Sequence, residues 1–249
     1  MTSQSPENTQ FFLTTSMPCP YLPDRMERKL FTHLSGKRAQ LLHQVLSEHG
    51  FRRSQNLIYR PACDGCAACR SVRIDVRNFQ IDKRHRRTAS RNSDVVGTAM
   101  MPRVTTEQYD LFKKYLDTRH QGGGMTQMSF LDYEYMVEDT PVNTQLVEYR
   151  IRNDVPNHGD LIGVALIDQM PDGPSMVYSF YDPDLRGRGI GNYMILDQVD
   201  RARQAGTHYV YLGYWVKNSP KMAYKTNFRP LQVQAESAGW VEFEPENAG

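Results

Sequence analysis

YDPDLRGRGIGNY, residues 181–193, joins a predicted strand to a predicted helix through a run of alternating glycines. The strand before it, SMVYSFY, is rich in aromatic and β-branched residues, and Pro183 ends it. After the loop, Ile195 and Val199 recur at the spacing of one helical face, and Gly206 is placed to end the helix. The stretch therefore predicts a strand, a glycine loop and a helix in succession.

The start of this helix has the properties of an anion-binding site. The first backbone N–H groups of a helix have no partner within it, and the helix dipole adds positive charge there. Glycines let a ligand approach the backbone closely, and neighbouring arginines add charge. We therefore expect a phosphate-bearing ligand to bind this loop through Arg186, Arg188, Gly189 and Gly191.

The elements around this loop alternate between strands and helices. The patterns of LVEYRI, LIGVALIDQM and HYVYLGYWV predict strands, and SPKMAYKTNF predicts a short helix. Such alternation indicates an α+β fold, a mixed sheet with helices on its faces. Upstream, SVRIDV predicts a strand that follows a cysteine-bearing loop. We expect two regions: residues 1–95, a small α/β region with the cysteines, and residues 96–249, the catalytic domain.

The composition is that of a globular protein without a membrane span. The 249 residues are 39% hydrophobic and 23% charged, and the formal net charge is only +2. No apolar run approaches the roughly 20 residues of a membrane helix. The first residues, MTSQSPENTQFF, lack the features of a signal peptide. We therefore expect a cytoplasmic protein, in which structural disulfides are disfavoured.

Positive charge is concentrated in one run, KRHRRTASR, residues 83–91. The run is predicted to connect the two regions of the chain. Two interpretations stay open: a solvated surface segment, or a patch that contacts the phosphates of a nucleic acid. The residues available for phosphate contacts are Lys83, Arg84, Arg86 and Arg87.

The stretch CDGCAACR, residues 63–70, holds three of the four cysteines. Cys63, Cys66 and Cys69 are separated by two residues each, and Cys19 lies far upstream. Four thiols in a reducing compartment are typical of zinc or an iron–sulfur cluster. The alternative is four buried thiols without a metal.

The glycine loop resembles the pyrophosphate loop of the Gcn5-related N-acyltransferase fold, whose R-x-x-G-x-G pattern matches Arg186, Gly189 and Gly191. In that fold a splayed strand and a helix with an Asn, an Ala, a Tyr and an aromatic residue follow. The corresponding residues here are Asn218, Ala223, Tyr224 and Phe228. The resemblance implies a Gcn5-related N-acyltransferase-like sheet and an acyl-transfer reaction. A helix start that binds nothing is the alternative.

The wider sequence resembles the arginyl-tRNA–protein transferase family. The motifs that carry the resemblance are GFRRSQNLIYRP, the cysteine loop, VYSFYDPDL and YLGYWVKNSPKMAYKTNFRP, over roughly Cys19 to Arg229. The length and the CPYLP start look most like the bacterial branch. Members of that branch move leucine from leucyl-tRNA to proteins with N-terminal Asp or Glu, which marks them for degradation by the N-degron pathway. The donor and acceptor are implied by the resemblance alone.

Further site residues follow from this resemblance. A tRNA needs a phosphate-contacting surface, for which the basic run is the candidate, and aromatic side chains can stack on its unpaired 3′ bases. Tyr211, Tyr214 and Trp215 are the stacking candidates. Alternation along the strand buries some of them, so the alternative is that these rings belong to the core.

The transfer itself needs a proton acceptor and a proton donor, and no cofactor. Asp182 is a candidate base and Tyr224 a candidate acid, and the alternative for Asp182 is a turn residue. An acidic acceptor needs a cation, for which Lys221, Lys225 and Arg229 are candidates.

Three other functions stay open at this point. One is transfer from arginyl-tRNA, and another is acetyl transfer from acetyl-CoA, which the R-x-x-G-x-G pattern favours. The third is a zinc-bearing protein that binds nucleic acid without catalysis. Acetyl transfer leaves the basic run and the cysteine loop unexplained, and simple nucleic-acid binding leaves the second half of the chain unexplained.

Overall fold

The computed structural model describes residues 9–119, 124–152, 159–235 and 238–244. Within those ranges, none of the helices combines the length and the apolar character that crossing a bilayer requires. The described strands are β1 (Phe12–Leu13), β2 (Met17–Pro18), β3 (Met26–Glu27), β4 (Lys29–His33), β5 (Arg52–Ser54), β6 (Leu57–Pro61), β7 (Cys69–Asp75), β8 (Val95–Met100), β9 (Thr144–Ile151), β10 (Leu161–Met170), β11 (Gly173–Tyr181), β12 (Tyr209–Val216), β13 (Leu231–Ala235) and β14 (Gly239–Glu242). The α-helices are α1 (Ala39–Glu48), α2 (Lys83–Arg91), α3 (Thr106–Arg119), α4 (Phe130–Glu138) and α5 (Ile190–Gln204).

Eight strands form one mixed sheet, in the order β14-β13-β7-β12-β11-β10-β9-β8. Its neighbouring strands are antiparallel except β11 and β12, which run parallel. Four strands, β1-β4-β6-β5, form a smaller sheet, and β2 pairs with β3. The predicted α+β class, a large mixed sheet with flanking helices, is confirmed.

The two parallel strands separate soon after they meet. Ser175 of β11 lies opposite Tyr211 of β12, and this is the one paired position between them. Each strand also carries a bulge on its other side, at Val177 in β11 and at Leu212 in β12. Because a bulge bends its strand and leaves the extra residue out of the ladder, the strands diverge into an opening beyond Ser175 and Tyr211.

Helices cover both faces of the large sheet. Successive residues of a strand point to opposite faces, and β10 shows the result: Leu166 packs in the same cluster as Phe112 of α3. Its neighbour Ile167 packs instead with Met194 of α5. A strand covered on both sides has no polar face, which explains why LIGVALIDQM lacks the alternation of a half-exposed strand.

The smaller sheet is joined to the large one by buried polar contacts. Arg53 of β5 forms a bidentate ion pair with Asp168 of β10, with N–O distances of 2.6 and 2.7 Å. Thr144 donates to the same carboxylate at 2.8 Å. The strand β7, although it lies before residue 96, pairs with β12 and β13 inside the large sheet. The boundary that we expected at residue 95 therefore falls within this sheet.

The basic run is a helix, α2, and the expectation of a simple connector is wrong. Asp82 accepts a hydrogen bond from the backbone N–H of His85 at 2.7 Å, and the His85 ring accepts one from the Asp82 N–H at 3.3 Å. This reciprocal cap satisfies donors at the helix start. The His85 ring is buried and lies 5.3 Å from the Phe79 ring and 5.2 Å from the Phe228 ring. One histidine thus anchors a helix whose basic side chains face solvent.

Candidate active site

The candidate site lies where β11 ends, at the predicted strand, glycine loop and helix, which the structure confirms. Asp182 accepts a hydrogen bond from the Asp184 N–H at 3.0 Å and so caps a 3-10 turn over Pro183–Arg188. Gly189, with a φ of +71°, then starts α5 in the left-handed conformation that glycine tolerates best. The N-terminus of a 15-residue helix thus faces the end of β11.

The two arginines of the loop differ in their surroundings. Arg186 is exposed. Arg188 donates to Asn92 Oδ1 at 3.2 Å and forms an ion pair with Asp94, so that its charge is largely compensated. Gly191 is required for a different reason: a Cβ there would lie 3.1 Å from Tyr181 Cε1. The loop therefore offers one uncommitted-looking arginine, a helix start and a tyrosine ring seated against glycine.

Asp182 has structural contacts in addition to its place in the site. Its carboxylate lies 2.7 Å from Lys114 Nζ, which is also 2.7 Å from Asp184 Oδ2. These two carboxylates raise the pKa of Lys114. A turn cap and an ion pair are the contacts of a structural carboxylate, and the base role of Asp182 stays a hypothesis.

Four tyrosines surround the space next to this turn. The Tyr115 and Tyr181 rings lie 5.3 Å apart, and the hydroxyl of Tyr224 interacts electrostatically with both and with Tyr21. Although Tyr224 is 40% exposed, its hydroxyl end is crowded, and desolvation raises its pKa to about 12. Tyr224 is therefore protonated at neutral pH, as a hydrogen-bond or proton donor must be.

Two buried cations lie at the other side of the strand opening. Lys225 is 5% exposed, and its Nζ donates to the Tyr214 carbonyl oxygen at 2.6 Å. Burial, followed by the nearby charge of Arg52, lowers its pKa from 10.5 to about 7. Arg52 is 6% exposed, and burial lowers its pKa too. Sequence reasoning missed Arg52, since one arginine of an Arg-Arg pair gives no sign of burial.

The other two candidates for the acceptor's carboxylate do not join this pair. Lys221 is exposed. Arg229 is also exposed and donates to the Phe243 carbonyl oxygen at 3.1 Å, with its guanidinium 5.7 Å from the Phe243 ring. Of the three predicted cations, Lys225 is the one buried beside the opening.

The aromatic strand β12 requires a correction. Tyr211 is fully buried, its hydroxyl donates to Asp172 Oδ2 at 2.6 Å, and it cannot stack on a base where it stands. The hydroxyl of Tyr214 lies 2.9 and 3.0 Å from two carbonyl oxygens, so that this side chain ties β12 to the smaller sheet. Trp215 is half-buried, with its ring 4.9 Å from Phe243. The core alternative therefore holds for Tyr211.

Helix α2 lies against the glycine loop. Arg91 Nη1 lies 3.5 Å from the Gly187 carbonyl oxygen, and Asn92 Nδ2 donates to the Arg188 carbonyl oxygen at 3.0 Å. The remaining basic side chains of the helix are exposed, namely Lys83, Arg84, Arg86 and Arg87. A continuous positive surface thus leads from this helix to the loop.

The four cysteines line a single cavity of about 70 Å³ and are all free thiols. Cys63 accepts a hydrogen bond from the Arg28 N–H at 3.4 Å. Burial, then the nearness of the other three thiols, raises the pKa of Cys69 to about 12. The donor set suits zinc or an iron–sulfur cluster, but the described part of the chain contains no group of three or more His, Cys, Asp or Glu arranged to hold a metal ion.

Comparison with known proteins places these features in a family. Residues 17–87 match the family model "Arginine-tRNA-protein transferase, N terminus", and residues 107–235 match "Arginine-tRNA-protein transferase, C terminus". The chain is 51% identical to the aspartate/glutamate leucyltransferase of Agrobacterium fabrum, over 98% of this chain and 99% of that one. It is 52% identical to the protein of that name from Nitrobacter winogradskyi, over 97% and 95% of the two chains.

Similarity to solved structures is weaker. The structure of L-PGS from Bacillus licheniformis aligns with a TM-score of 0.46 and 14% identity, over 59% of this chain and 45% of that one. The crystal structure of FemX aligns with a TM-score of 0.44 and 10% identity, over 77% and 59% of the two chains. These values are too low to carry an argument about function.

Proposed function

We infer that this chain, which belongs to the arginine-tRNA-protein transferase family, is an aminoacyltransferase that moves leucine from leucyl-tRNA to the α-amine of proteins with N-terminal Asp or Glu. One observation carries the inference: more than half of the residues are identical to aspartate/glutamate leucyltransferases, over nearly the full length of both chains. The family in turn gives a use to both the basic helix and the glycine loop.

We propose that the large sheet is a Gcn5-related N-acyltransferase-like sheet and that the opening between β11 and β12 receives the acyl donor. A parallel pair that separates after one paired position supports this, as do the glycine loop and α5 directly after β11. The bulge at Val177 leaves a backbone group out of the ladder on the edge of the opening. Its N–H is our candidate donor to the oxyanion that forms during transfer.

The chemistry is attack of an amine on an ester. The acceptor's nitrogen forms a bond to the leucyl carbonyl carbon, and the bond from that carbon to the ribose oxygen breaks. An α-amine has a pKa of about 8, so that a usable neutral fraction exists at pH 7. Because the ester is already activated, holding amine and ester in line supplies most of the acceleration.

Two protons move in this reaction. We propose that Asp182 takes the proton from the attacking amine and that Tyr224 gives one to the leaving ribose oxygen. The raised pKa of Tyr224 supports the second role, because the phenol keeps its proton at neutral pH. For the first role, Asp182 lies at the mouth of the opening, and its ion pair with Lys114 has to loosen when the amine arrives.

The donor tRNA lies, in this proposal, along the surface formed by α2 and the glycine loop. The exposed cations of α2 contact its phosphates, and Trp215 stays a candidate for stacking on a 3′ base. Arg186, Gly189 and Gly191 contact the phosphates nearest the ester, while Arg188 acts mainly by holding the loop against Asp94. For the acceptor, Lys221 and Arg229 are left as exposed cations that can attract an acidic chain.

The four cysteines stay our candidate ligands for a structural zinc or iron–sulfur cluster, with no part in the transfer itself. Their common cavity supports the proposal. Elemental analysis of the purified protein, together with an absorption spectrum recorded under anaerobic conditions, tests it. Metal-free protein with four titratable thiols would leave four buried cysteines as the correct description.

We propose a cytoplasmic reaction, because charged tRNA is the donor, and a product destined for degradation by the N-degron pathway. The test offers the purified protein leucyl-tRNA with peptides that begin with Asp, Glu or Ala. We expect leucine on the first two and not on the third. Equal transfer to all three would remove the acidic acceptor, and acetylation of the same peptides from acetyl-CoA without tRNA would replace the proposal.

A further inference from the structure

Arg52 is a buried guanidinium with most of its donors unused. Nη1 donates to Ser175 Oγ at 3.3 Å, whereas Nε and Nη2 are buried without a hydrogen-bond partner among the described residues. Desolvating a charged group without partners costs several kcal/mol, so that proteins rarely bury one without a counter-charge. Ser175 is also the last residue of β11 that pairs with β12, which places Arg52 at the vertex of the opening.

Lys225 reaches the same point from the other side. Gly213 has a φ of +81° and lies just beyond the vertex on β12. A Cβ at Gly213 would lie 3.7 Å from Lys225 Nζ and 4.0 Å from Arg52 Nε. The ammonium has one printed acceptor, the Tyr214 carbonyl oxygen, for its three N–H donors. Two buried cations with spare donors therefore flank a position where the chain has no side chain.

The neighbouring carboxylates are committed elsewhere. Asp168 is the acidic group that acts on Arg52, but it accepts both hydrogen bonds of Arg53 and one from Thr144. His43 Nε2 lies 3.4 Å from it as well. The vertex thus holds more positive than negative charge within the described residues, and an anion is the missing partner.

We propose that Arg52 and Lys225 form the subsite that binds the side-chain carboxylate of the acceptor's first residue. A carboxylate suits the pair, since a guanidinium can hold it through two donors while an ammonium adds a point charge. The inference rests on the proposed function for the identity of the acceptor. It adds a residue, Arg52, that selects acidic N-termini and does not take part in the bond changes.

A tRNA phosphate is the other anion that this site can meet, and the position of the pair argues against it. The exposed cations for a tRNA lie on α2, against the glycine loop at the end of β11. Arg52 and Lys225 lie at the vertex, where the space is small and both groups are at least nine-tenths buried. The experiment has to separate the two anions.

The experiment compares wild type with Arg52→Gln, Lys225→Met and Arg60→Gln. Arg60 is the matched control: it is exposed, and it lies on the neighbouring strand β6. Transfer rates are measured with Asp-, Glu-, Asn- and Gln-initiated peptides at saturating leucyl-tRNA, and the KM of leucyl-tRNA is measured separately. We expect each of the first two variants to lose about tenfold or more of the preference for Asp over Asn. The KM of leucyl-tRNA should stay at its wild-type value, and Arg60→Gln should match wild type.

Titration of the peptides into the protein without tRNA separates this inference from the proposed function. Binding of the Asp peptide that both variants lose supports the subsite even if wild type transfers no leucine. An unchanged preference for Asp, or a raised KM for leucyl-tRNA alone, overturns it. If Arg52→Gln does not fold, Lys225→Met decides the question, because an apolar chain of similar length replaces a buried charge.

Discussion

Lys225 gives the fold a dependence on pH that a neutral residue would not. With a pKa of about 7 when folded and 10.5 as its ordinary value, the folded chain binds fewer protons between those pH values. Stability from this residue therefore rises with pH from 7 to 10.5 and is lowest below pH 7. Lys225→Met removes that dependence. We expect its advantage in free energy of unfolding to be largest at pH 6 and to fall by a few kcal/mol towards pH 10.

Denaturant unfolding of both proteins at several pH values measures this difference. Lys221→Met is the control, because the same change at an exposed position of the same segment should give a difference that does not vary with pH. The groups that face Lys225 are Arg52 and the Tyr224 ring, 5.9 Å from Nζ. A flat difference for Lys225→Met would mean that its ammonium is solvated in the folded protein.

Asp182 and Asp184 offer a matched test of the base. Both carboxylates lie 2.7 Å from Lys114, but Asp182 is 22% exposed and Asp184 is 77% exposed. If Asp182 is the base, Asp182→Asn should lower kcat by about a hundredfold and remove the acidic limb of the pH–rate profile. Asp184→Asn should keep both. Equal losses in the two variants would assign Asp182 to the turn alone.

At the scale of elements, the junction of β11 and α5 depends on Gly191. Ala at this position brings a methyl group 3.1 Å from Tyr181 Cε1, and the ring has to move. We expect Gly191→Ala to lower leucyl transfer about tenfold with no loss of melting temperature, because Ala favours helix more than Gly does. Gly187→Ala, where a methyl group meets nothing within 4 Å, should behave as wild type. A similar loss in both would point to the loop's flexibility instead of the ring's position.

Helix α2 is expected to act on the tRNA and not on the acceptor. Arg84→Gln with Arg87→Gln should raise the KM of leucyl-tRNA, leave kcat unchanged, and reduce the salt dependence of that KM by about one logarithmic unit per lost phosphate contact. Arg203→Gln is the control, since this exposed arginine is 3.1 Å from Asp200 and already compensated. An unchanged salt dependence would leave α2 a solvated surface helix.

Local patterns predicted elements better than they predicted exposure. The strand, glycine loop and helix at 173–204 followed from β-branched residues, glycines and helical spacing, all of which act over a few residues. The basic run was harder, because its cap depends on a reciprocal contact between Asp82 and His85 that charge counting does not reveal. Tyr211 was misplaced for a related reason: alternation gives two faces but not which one is covered.

For the whole molecule, the site is made by contacts between distant parts of the chain. Arg52 and Ser175 are 123 residues apart, and Arg53 and Asp168 are 115 apart. The smaller sheet thereby supplies a cation to an opening that the large sheet creates. No sequence period reports such a contact, so that Lys225 was predicted as one cation among three and Arg52 was not predicted. The family resemblance gave the reaction, and the geometry adds where the acceptor's charge is bound.

The central claim is tested most directly by the choice of donor. Purified protein is given an Asp-initiated peptide with leucyl-tRNA or with arginyl-tRNA, and the mass of the peptide is followed over time. We predict that the peptide gains leucine at its α-amine from the first donor and nothing comparable from the second. Arginine transfer at an equal or greater rate, or leucine incorporation that persists after the tRNA is digested, would contradict the account.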